Sequence, residues 1–245
     1  MSSKVQAIIL AGGQGTRLRP YTAVIPKPLM PVGEHPICEI IIRQLKDAEL
    51  TNIVISTGHL AGLIEAYFGN GRKWGVNITY VTEDKPLGTA GALKLVRNMD
   101  EDCLIINGDV LTDLDFKAAL TYHRRRKALA TITVKERIVK TDFGVIAMNA
   151  DGELVDYIEK PEHKSFVSIG VYLLSRQCRS YIETDENIGM PELVLRLKDK
   201  GKKVCCFPTK ALWLDLGRID DFMASQDFFE KHKNKFLKIP KRSRS

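Results

Sequence analysis

Short apolar runs alternate with helical patterns throughout the first half of this 245-residue chain. The first run, residues 5–10, is short and β-branched and has no polar alternation, which is typical of a strand buried on both faces. Further runs predict strands at 52–57, 76–82 and 103–106, with helices at 37–48, 60–68, 89–97 and 114–125. This order favours right-handed βαβ units. We therefore predict an α/β fold with a Rossmann-like, mostly parallel sheet flanked by helices.

The second half has a different pattern, in which strands follow one another with no long helix between them. Strands are predicted at 128–134, 143–148, 154–159 and 166–174, with a hairpin turn at 149–152 and closing helices at 191–200 and 219–232. The turn sequence is Asn-Ala-Asp-Gly, a strong hairpin signal. We expect one domain over residues 1–230, with an N-terminal lobe (1–127) and a smaller mixed β lobe (128–230).

The net charge of +7 comes from the last fifteen residues. Residues 231–245 hold seven Lys or Arg and no acid, which leaves thirty cations and thirty acids in the rest of the chain. A neutral body argues against a nucleic-acid-binding domain. A basic tail can bind RNA, acidic lipid or an acidic partner, but we expect a solvated, frayed C-terminus.

Cysteine, histidine and hydropathy patterns exclude several other classes of protein. The five cysteines are odd in number and include no CxxC pair, so we expect no disulfide framework. The five histidines show no metal-ligand spacing, which argues against a zinc site. No run approaches the ~20 apolar residues that span a bilayer. We therefore expect a cytoplasmic protein with no membrane partner.

A glycine-rich loop directly follows the first predicted strand, from Leu10 to Pro20 (LAGGQGTRLRP). Its three glycines let backbone N–H groups approach a ligand closely, and Arg17 and Arg19 add charge that suits phosphate. The loop is not a dinucleotide fingerprint, because Leu18 stands where a third glycine is needed. It also lacks the Gly-Lys-Ser/Thr of a Walker A loop. The glycines alone would equally fit a tight turn between a strand and a helix.

Two further residues stand close to this loop in the predicted fold. Lys27 lies between Pro26 and Pro28, and the fixed φ of proline makes that segment stiff. Asp109 follows the strand at 103–106. In a doubly wound sheet, ligands bind at the carboxyl ends of the strands. The loop after Leu10 and the loop that holds Asp109 are therefore predicted at one binding edge.

Together these segments form a long ordered motif, GGQGTRLRP followed by IPKP, which resembles the signature of the sugar-nucleotide pyrophosphorylases (sugar-1-phosphate nucleotidyltransferases). The similarity covers roughly residues 4–230 and continues in LGTAGAL (87–93), NGD (107–109), FG (143–144), EKP (159–161), GVY (170–172) and WLDLGR (213–218). It is greatest to the catalytic domains of mannose-1-phosphate and heptose-1-phosphate guanylyltransferases, which implies a GT-A-like fold. Many relatives add a left-handed β-helix of hexapeptide repeats, and this sequence resembles the catalytic domain alone.

The resemblance implies a reaction between a nucleoside triphosphate and a sugar 1-phosphate. A sugar-phosphate oxygen attacks the α-phosphorus and pyrophosphate leaves, which needs positioning and charge neutralisation more than covalent help. Arg17 would hold the pyrophosphate, Lys27 would lie near the α-phosphate, and Lys160 would bind the sugar phosphate. Asp109 and Asp215 resemble the family's two metal carboxylates, which implies a Mg²⁺ cofactor.

The resemblance also implies that residues 1–127 form a nucleotide-binding lobe and residues 128–230 a sugar-binding lobe, and it implies two sets of binding residues. The nucleotide set is Leu10, Ala11, Gly12, Gly13, Gly15, Thr16, Glu83, Pro86, Gly88 and Thr89. The sugar set is Gly144, Glu159, Ser168, Gly170 and Trp213. Ser168 departs from the family pattern, which commonly has a sugar-contacting asparagine there. This departure leaves the sugar identity more open than the reaction.

Glu83 is the residue that bears on the choice of base. Thymidylyl members of the family have a glutamine near this position, whereas an ionised carboxylate can only accept hydrogen bonds. Guanine offers two adjacent donors, N1–H and the 2-amino group, which suit a bidentate carboxylate. This hypothesis predicts GTP with a manno-configured hexose or heptose 1-phosphate. The alternatives are a solvent-facing Glu83, and the same reaction with UTP, CTP or dTTP and a glucose-type 1-phosphate.

Rival functions come from other classes. The family fold also occurs in regulatory subunits of a translation-initiation exchange factor that have lost the catalytic residues, so a catalytically silent relative is one alternative. This chain keeps Arg17, Lys27, Asp109, Lys160 and Asp215, which favours an enzyme. Binding of RNA or membrane through the basic tail is a second alternative. The resemblance further suggests a homo-oligomer, either a dimer or a tetramer.

Overall fold

The computed structural model describes residues 5–217 and 219–237 and is built on one central sheet. The strands are β1 (Val5–Ala11), β2 (Pro31–Val32), β3 (His35–Pro36), β4 (Asn52–Thr57), β5 (Asn77–Thr82), β6 (Asp102–Asn107), β7 (Val110–Thr112), β8 (Ala130–Lys140), β9 (Val145–Met148), β10 (Leu154–Ile158), β11 (Glu162–Ser175), β12 (Val204–Thr209) and β13 (Trp213–Asp215). The helices are α1 (Ile37–Asp47), α2 (Ala61–Phe68), α3 (Gly88–Gly91), α4 (Phe116–Arg126), α5 (Met190–Asp199) and α6 (Ile219–Phe236).

The central sheet has seven strands in the order β12-β8-β11-β6-β1-β4-β5. Strands β6, β1, β4 and β5 run parallel to one another. Strand β11 is antiparallel to both β6 and β8, and β12 is parallel to β8. The prediction of a mostly parallel α/β sheet is confirmed. The order reverses between β6 and β1, so the loops after these two strands flank the crevice where such sheets bind ligands.

Apolar side chains are buried on both faces of this sheet. Ile9 of β1 packs in a cluster that includes Ile41 of α1, and neither is more than 1% exposed. The adjacent Ile8 points to the other face, into a cluster that includes Leu193 of α5. Burial on both faces explains why the first strand shows no polar alternation.

The predicted elements of the first half are largely confirmed, but the third helix is much shorter than predicted. Instead of spanning 89–97, α3 covers only Gly88–Gly91 and is followed by a 3₁₀ turn at Ala92–Leu95. Glycine at both ends weakens a helix. The backbone N–H groups of Ala90 and Gly91 donate to the carbonyl of Ile188, so this segment is held from outside.

In the second half, β8 and β11 are longer than predicted, and β12 was missed altogether. The run VCCFPT contains Pro208, which is tolerated because β12 is an edge strand. Residues 145–158 form the β9–β10 hairpin with its turn at 149–152. Because β8, β11 and β12 all join the central sheet, the division into two lobes at 127/128 stays a prediction.

Helix α6 corrects the expectation of a frayed tail from residue 231. The helix continues to Phe236, with an irregular φ/ψ at His232, and Phe236 is 1% exposed. The rings of Phe229 and Phe236 lie 5.9 Å apart, centroid to centroid. Apolar residues seven positions apart on a helix share one face, so the chain is ordered through Leu237. Residues 238–245 of the predicted tail lie outside the described residues, and none of the described helices is long and apolar enough to cross a membrane.

Candidate functional site

The loop after β1 is shaped by glycines that make close contacts. A Cβ on Gly12 would collide with Oε1 of Glu83, so a larger residue there would have to displace that carboxylate. Gly15 has a φ of +61°, the left-handed region that favours glycine. The hydroxyl of Thr22 donates to the Gly15 carbonyl at 2.8 Å, and Leu18 anchors the loop in the core. These constraints fix the path of a loop whose backbone faces the crevice.

A cavity of about 360 Å³ opens beside this loop. It is lined by eleven of the residues named from the sequence: Leu10, Ala11, Gly12, Gly13, Arg17, Lys27, Glu83, Pro86, Gly88, Thr89 and Asp109. Gly15 and Thr16 belong to the loop but do not line the cavity. Asn107 lines it and was not among the predicted site residues, although it stands in the NGD motif. Its position at the carboxyl end of β6 was the available signal.

Asp109 lines the cavity, and Asp215 lies beside Asp109 without lining the cavity itself. Asp109 follows β6, and the pairing of β13 with β7 places Asp215 opposite Val110. The Leu216 N–H also donates to the Asp109 carbonyl at 3.2 Å. Burial raises the pKa of Asp215 above its ordinary value and the Asp109 carboxylate raises it further, whereas Lys27 and Arg17 act in the opposite direction. The two carboxylates are therefore close enough to repel each other.

This donor set fits a magnesium ion. Hard divalent cations prefer carboxylate oxygens, and Mg²⁺ is usually held by one or two carboxylates with water and substrate phosphates as its other ligands. Within residues 5–217 and 219–237, no group of three or more His, Cys, Asp or Glu could hold a metal. Asp109 and Asp215 thus match a site in which the substrate completes the coordination.

Two cations accompany these carboxylates. Lys27 lies in a 3₁₀ turn that starts after Pro26, its side chain is only 11% exposed, and its Nζ donates to Oδ2 of Asp109. Arg17 is exposed at the mouth of the cavity. A Cβ built on Gly217 would lie 3.4 Å from the Arg17 guanidinium and 3.2 Å from an Asp215 oxygen. Positive and negative charges therefore alternate around one opening.

Glu83 lines the same cavity and is held in place by two hydrogen bonds. The Ser56 hydroxyl donates to Oε1 at 3.2 Å, and the Leu87 N–H donates to Oε2 at 2.9 Å. Each carboxylate oxygen has a second lone pair that these contacts do not use. Glu83 is therefore fixed against Gly12 and lines the cavity, which excludes the alternative of a side chain that only faces solvent.

The turn at Gly88 and Thr89 is supported from the second half of the chain. Gly88 has a φ of +74°, and its backbone lies against the carbonyl of Ile188. The Ile188 N–H donates to the Leu87 carbonyl at 2.9 Å, and the Met190 N–H donates to the Thr89 hydroxyl at 2.8 Å. Sequence reasoning missed this support, because nothing in residues 186–190 signals a contact with residues 87–91.

The predicted sugar residues fall into two groups. In the first, the register of β11 against β8 shifts between Ser168 and Tyr172, and Gly170 has a φ of +75° inside this bulge. A Cβ on Gly170 would lie 2.9 Å from Nδ2 of Asn107, which brings the bulge to the edge of the cavity. The Ser168 hydroxyl donates to the Tyr172 hydroxyl at 3.1 Å. Trp213, on β13, has a buried Nε1 with no hydrogen-bond partner among the described residues.

The second group lies farther out, at the base of the β9–β10 hairpin. The Tyr157 hydroxyl donates to Oε2 of Glu159 at 3.1 Å, and Gly144 is in close contact with both side chains. Lys160 follows with a φ of +46°, and both Glu159 and Lys160 are exposed. These three predicted residues cluster together but do not line the cavity that holds Asp109.

A comparison with known protein families identifies the family of this chain. The nucleotidyl transferase family model matches residues 6–232. The chain belongs to the nucleotidyl transferase family. The resemblance read from the glycine-rich and Pro-Lys-Pro motifs is thereby confirmed, and the match covers every residue of the predicted site.

Relatives within the nucleotidyl transferase family differ in base and sugar. A UTP–glucose-1-phosphate uridylyltransferase from Synechocystis is 32% identical, over 89% of this chain and 61% of the relative. A D-glycero-α-D-manno-heptose 1-phosphate guanylyltransferase from Aneurinibacillus thermoaerophilus is 31% identical, over 91% of this chain and 97% of the relative. The chain thus spans less than two thirds of the first and nearly all of the second. HddC from Yersinia pseudotuberculosis, solved with GMP-PN, superposes with a TM-score of 0.71 at 25% identity, over 91% of this chain and 99% of that one.

Proposed function

We propose that the chain transfers a nucleotidyl group from a nucleoside triphosphate to a sugar 1-phosphate and releases pyrophosphate. The observation that carries this proposal is the convergence of Lys27, Asp109 and Asp215 beside the glycine loop, with Arg17 at the opening of the same cavity. A displacement at phosphorus needs its anions positioned and neutralised. A glycine loop, two cations and two carboxylates meet that need.

Each charged residue has a part in the proposed reaction. Arg17, exposed at the mouth, neutralises the departing pyrophosphate. Lys27 lies on a stiff segment and holds its ammonium beside Asp109, where the α-phosphate would sit. When bound at Asp109 and Asp215, a magnesium ion supplies positive charge to the phosphate oxygens and orients them. Lys160 and Glu159 would bind the phosphate and hydroxyls of the sugar from the base of the hairpin.

Glu83 supports the choice of GTP. Its carboxylate is fixed on the cavity wall by Ser56 and Leu87 and keeps one free lone pair on each oxygen. The N1–H and 2-amino donors of guanine match that pair of acceptors. The heptose 1-phosphate guanylyltransferase and the GMP-PN complex among the relatives agree with a guanine nucleotide, and we infer a manno-configured hexose or heptose 1-phosphate as the co-substrate. The uridylyltransferase relative keeps UTP with glucose 1-phosphate as the second candidate.

A grid of substrates tests the proposal. Pyrophosphate release would be measured with Mg²⁺ for GTP, UTP, CTP, dTTP and ATP against the α-1-phosphates of glucose, mannose, glucosamine and a manno-heptose. We expect turnover in the GTP row with one manno-type sugar. Turnover with a different nucleoside triphosphate only would support the proposed reaction but overturn the assignment of GTP. A grid without turnover, together with no binding of GTP, would overturn the proposed reaction.

A single substitution tests whether Glu83 recognises the base. Glu83→Gln keeps the size of the side chain but replaces one acceptor oxygen by a donor amide. We expect the ratio of kcat/KM for GTP over UTP to fall by roughly tenfold or more, which corresponds to one lost charge-assisted hydrogen bond. Asp84→Asn, which removes a neighbouring charge that does not line the cavity, is the matched control. An unchanged ratio in Glu83→Gln would show that this carboxylate does not read the base.

A further inference from the structure

The loop between β4 and α2, residues 58–60, lies outside the site predicted from the sequence, yet it contacts the glycine-rich loop. Strand β4 lies beside β1 with Thr57 paired to Ala11, so the loops after these two strands leave the sheet next to each other. A Cβ built on Gly58 would lie 2.8 Å from the Gly12 carbonyl oxygen and 3.3 Å from the Gly12 Cα. The two loop backbones are therefore in direct contact.

The backbone of the 58–60 loop is held on both sides of His59. Leu60 has a φ of +56°, in the left-handed region that residues other than glycine seldom adopt. The Ala61 N–H donates to the Gly58 carbonyl at 3.3 Å, and the Leu63 N–H donates to the Leu60 carbonyl at 3.0 Å. The first turn of α2 thus fixes the place from which the His59 side chain extends.

The imidazole of His59 contacts the segment that follows the glycine-rich loop. Its Nε2 lies 3.3 Å from the Thr22 carbonyl oxygen. A carbonyl oxygen can only accept, so the imidazole is the donor, and both the imidazolium and the neutral tautomer with hydrogen on Nε2 can donate. His59 is half-buried and does not line the cavity. It is therefore placed to act on the loop rather than on a substrate.

Thr22 connects His59 with the turn at Gly15. Its side chain is buried, and its hydroxyl donates at 2.8 Å to the Gly15 carbonyl, which also accepts the Leu18 N–H at 2.8 Å. A Cβ built on Gly15 would lie 2.9 Å from Cγ2 of Thr22 and 3.5 Å from Cβ of Lys27. The Gly15 turn thus lies between Thr22 and Lys27, two residues before Arg17.

The end of β4 also holds Glu83, but through different residues. The Glu83 N–H donates to the Thr57 carbonyl at 2.9 Å, and the Ser56 hydroxyl donates to Oε1 of Glu83. Residues 56 and 57 therefore support the side of the cavity assigned to the base, whereas Gly58 and His59 support the glycine-rich loop. A change at His59 should leave the contacts of Glu83 in place.

We propose that His59 is a positioning residue for the triphosphate. Its imidazole N–H holds the Thr22 carbonyl, and Thr22 holds the Gly15 turn that sets the positions of Arg17 and Lys27. This inference rests on the proposed nucleotidyl transfer. Because His59 acts on the phosphate side of the cavity, its loss should weaken binding of every nucleoside triphosphate alike and leave the preference between bases unchanged.

Binding of GTP and UTP to the full chain tests this role, measured by calorimetry with Mg²⁺. His59→Leu removes the donor, and we expect both dissociation constants to rise roughly threefold to tenfold, the size of one lost hydrogen bond. His59→Gln keeps an N–H near the position of Nε2 and should restore most of the binding. His163→Leu, at an exposed histidine of β11, is the matched control and should bind like the wild type. A loss that His59→Gln does not reverse, or that affects only one of the two nucleotides, would overturn the proposal.

A double-mutant cycle tests whether Thr22 carries the effect. Thr22→Val removes the hydroxyl that holds Gly15 but keeps the shape of the side chain and the backbone carbonyl. If His59 acts through Thr22, adding His59→Leu to Thr22→Val should weaken GTP binding by no more than about twofold further, because coupled residues are not additive. Fully additive losses would overturn the proposed connection.

Amide hydrogen exchange of the ligand-free protein gives a readout that does not depend on catalysis. Exchange of residues 15–24 should be faster in His59→Leu than in the wild type and should return to the wild-type rate in His59→Gln. If His59→Leu binds GTP normally and its exchange is unchanged, the inference is wrong and the proposed reaction stands. A wild type that binds triphosphates without turnover, together with the expected effects of His59→Leu, would instead overturn the reaction and support the role of His59.

Discussion

Asp215 lies beside Asp109 because β13 pairs with β7, which sets Asp215 opposite Val110, the neighbour of Asp109. A backbone hydrogen bond from Leu216 to the Asp109 carbonyl fixes the same contact. Two carboxylates from segments far apart in sequence thereby share one site. Burial, and then the Asp109 carboxylate, raise the pKa of Asp215 above its ordinary value.

Asp215→Asn tests the proposed role of Asp215 as a metal ligand and should leave the fold intact. Asparagine keeps the shape of the side chain but not the charge that attracts a divalent cation. We expect kcat to fall roughly 10²–10³-fold, since a metal contributes several kcal/mol to stabilisation of charge in the transition state. The measurement is pyrophosphate release at saturating substrates over a Mg²⁺ titration. Asp221→Asn, which changes another charge felt by Asp215, should stay within a few-fold of the wild type, and equal losses in both variants would contradict a specific ligand role.

Gly12→Ala should disturb the loop. The new methyl group would collide with the Glu83 carboxylate, so either the loop or Glu83 must move. Displacement of about 1 Å in a positioning group can cost roughly 10²-fold in rate, and we expect a loss of that size in kcat/KM for the triphosphate. The control is Gly62→Ala in α2, where a Cβ meets no atom within 4 Å. It should keep full activity and raise the unfolding free energy by about 0.5–1 kcal/mol, whereas normal kinetics in Gly12→Ala would refute the steric argument.

Glu186 should make the free energy of unfolding depend on pH in the acidic range. The Arg196 guanidinium, followed by the Glu183 N–H, lowers the pKa of Glu186 from 4.5 to about 2. An acid whose pKa is lower in the folded state stabilises the fold above its unfolded pKa and loses that contribution as pH falls through the folded pKa. Glu186→Gln should therefore lower Tm at pH 7, and the deficit should shrink between about pH 4.5 and pH 2. Asp185→Asn is the control, and a deficit that persists unchanged at the acidic end would exclude the linkage.

Phe236→Ala should destabilise the protein, because the last turn of α6 is part of the core. Phe236 is 1% exposed and packs on Phe229. Removing a buried phenylalanine costs about 3–5 kcal/mol, measurable as a lower urea midpoint at an unchanged slope. Lys235→Ala changes an exposed neighbour and should alter stability by less than about 0.5 kcal/mol. If the urea midpoint of Phe236→Ala equals that of the control, the end of α6 is not part of the core, and the frayed tail expected from composition would be correct.

Local sequence patterns predicted most of the fold. The parallel strands of the first half were predictable because a strand buried on both faces leaves an uninterrupted apolar run. The β9–β10 hairpin was predictable because its turn residues have strong conformational preferences. Strand β12 was missed, since Pro208 argues against a strand unless the strand is known to be at an edge. The extent of α6 was missed because the density of lysines hid the spacing between Phe229 and Phe236.

The candidate site, like the fold, was predictable only in part from the sequence. The sequence alone nominated the candidate residues. The glycines, the lysine between prolines and the aspartate after a buried strand have local physical meaning, whereas Asp215, Glu159 and Lys160 were predicted only through the family resemblance. Only the tertiary structure decided which of them meet. The pairing of β7 with β13 brings Asp215 to Asp109, and the contacts of residues 186–190 hold the Gly88 turn. Glu159 and Lys160, in contrast, are exposed at the base of the hairpin and do not line the cavity. Such contacts join segments that are distant along the chain, and no local pattern records them, because their free energy comes from packing rather than from the conformational preferences of neighbouring residues.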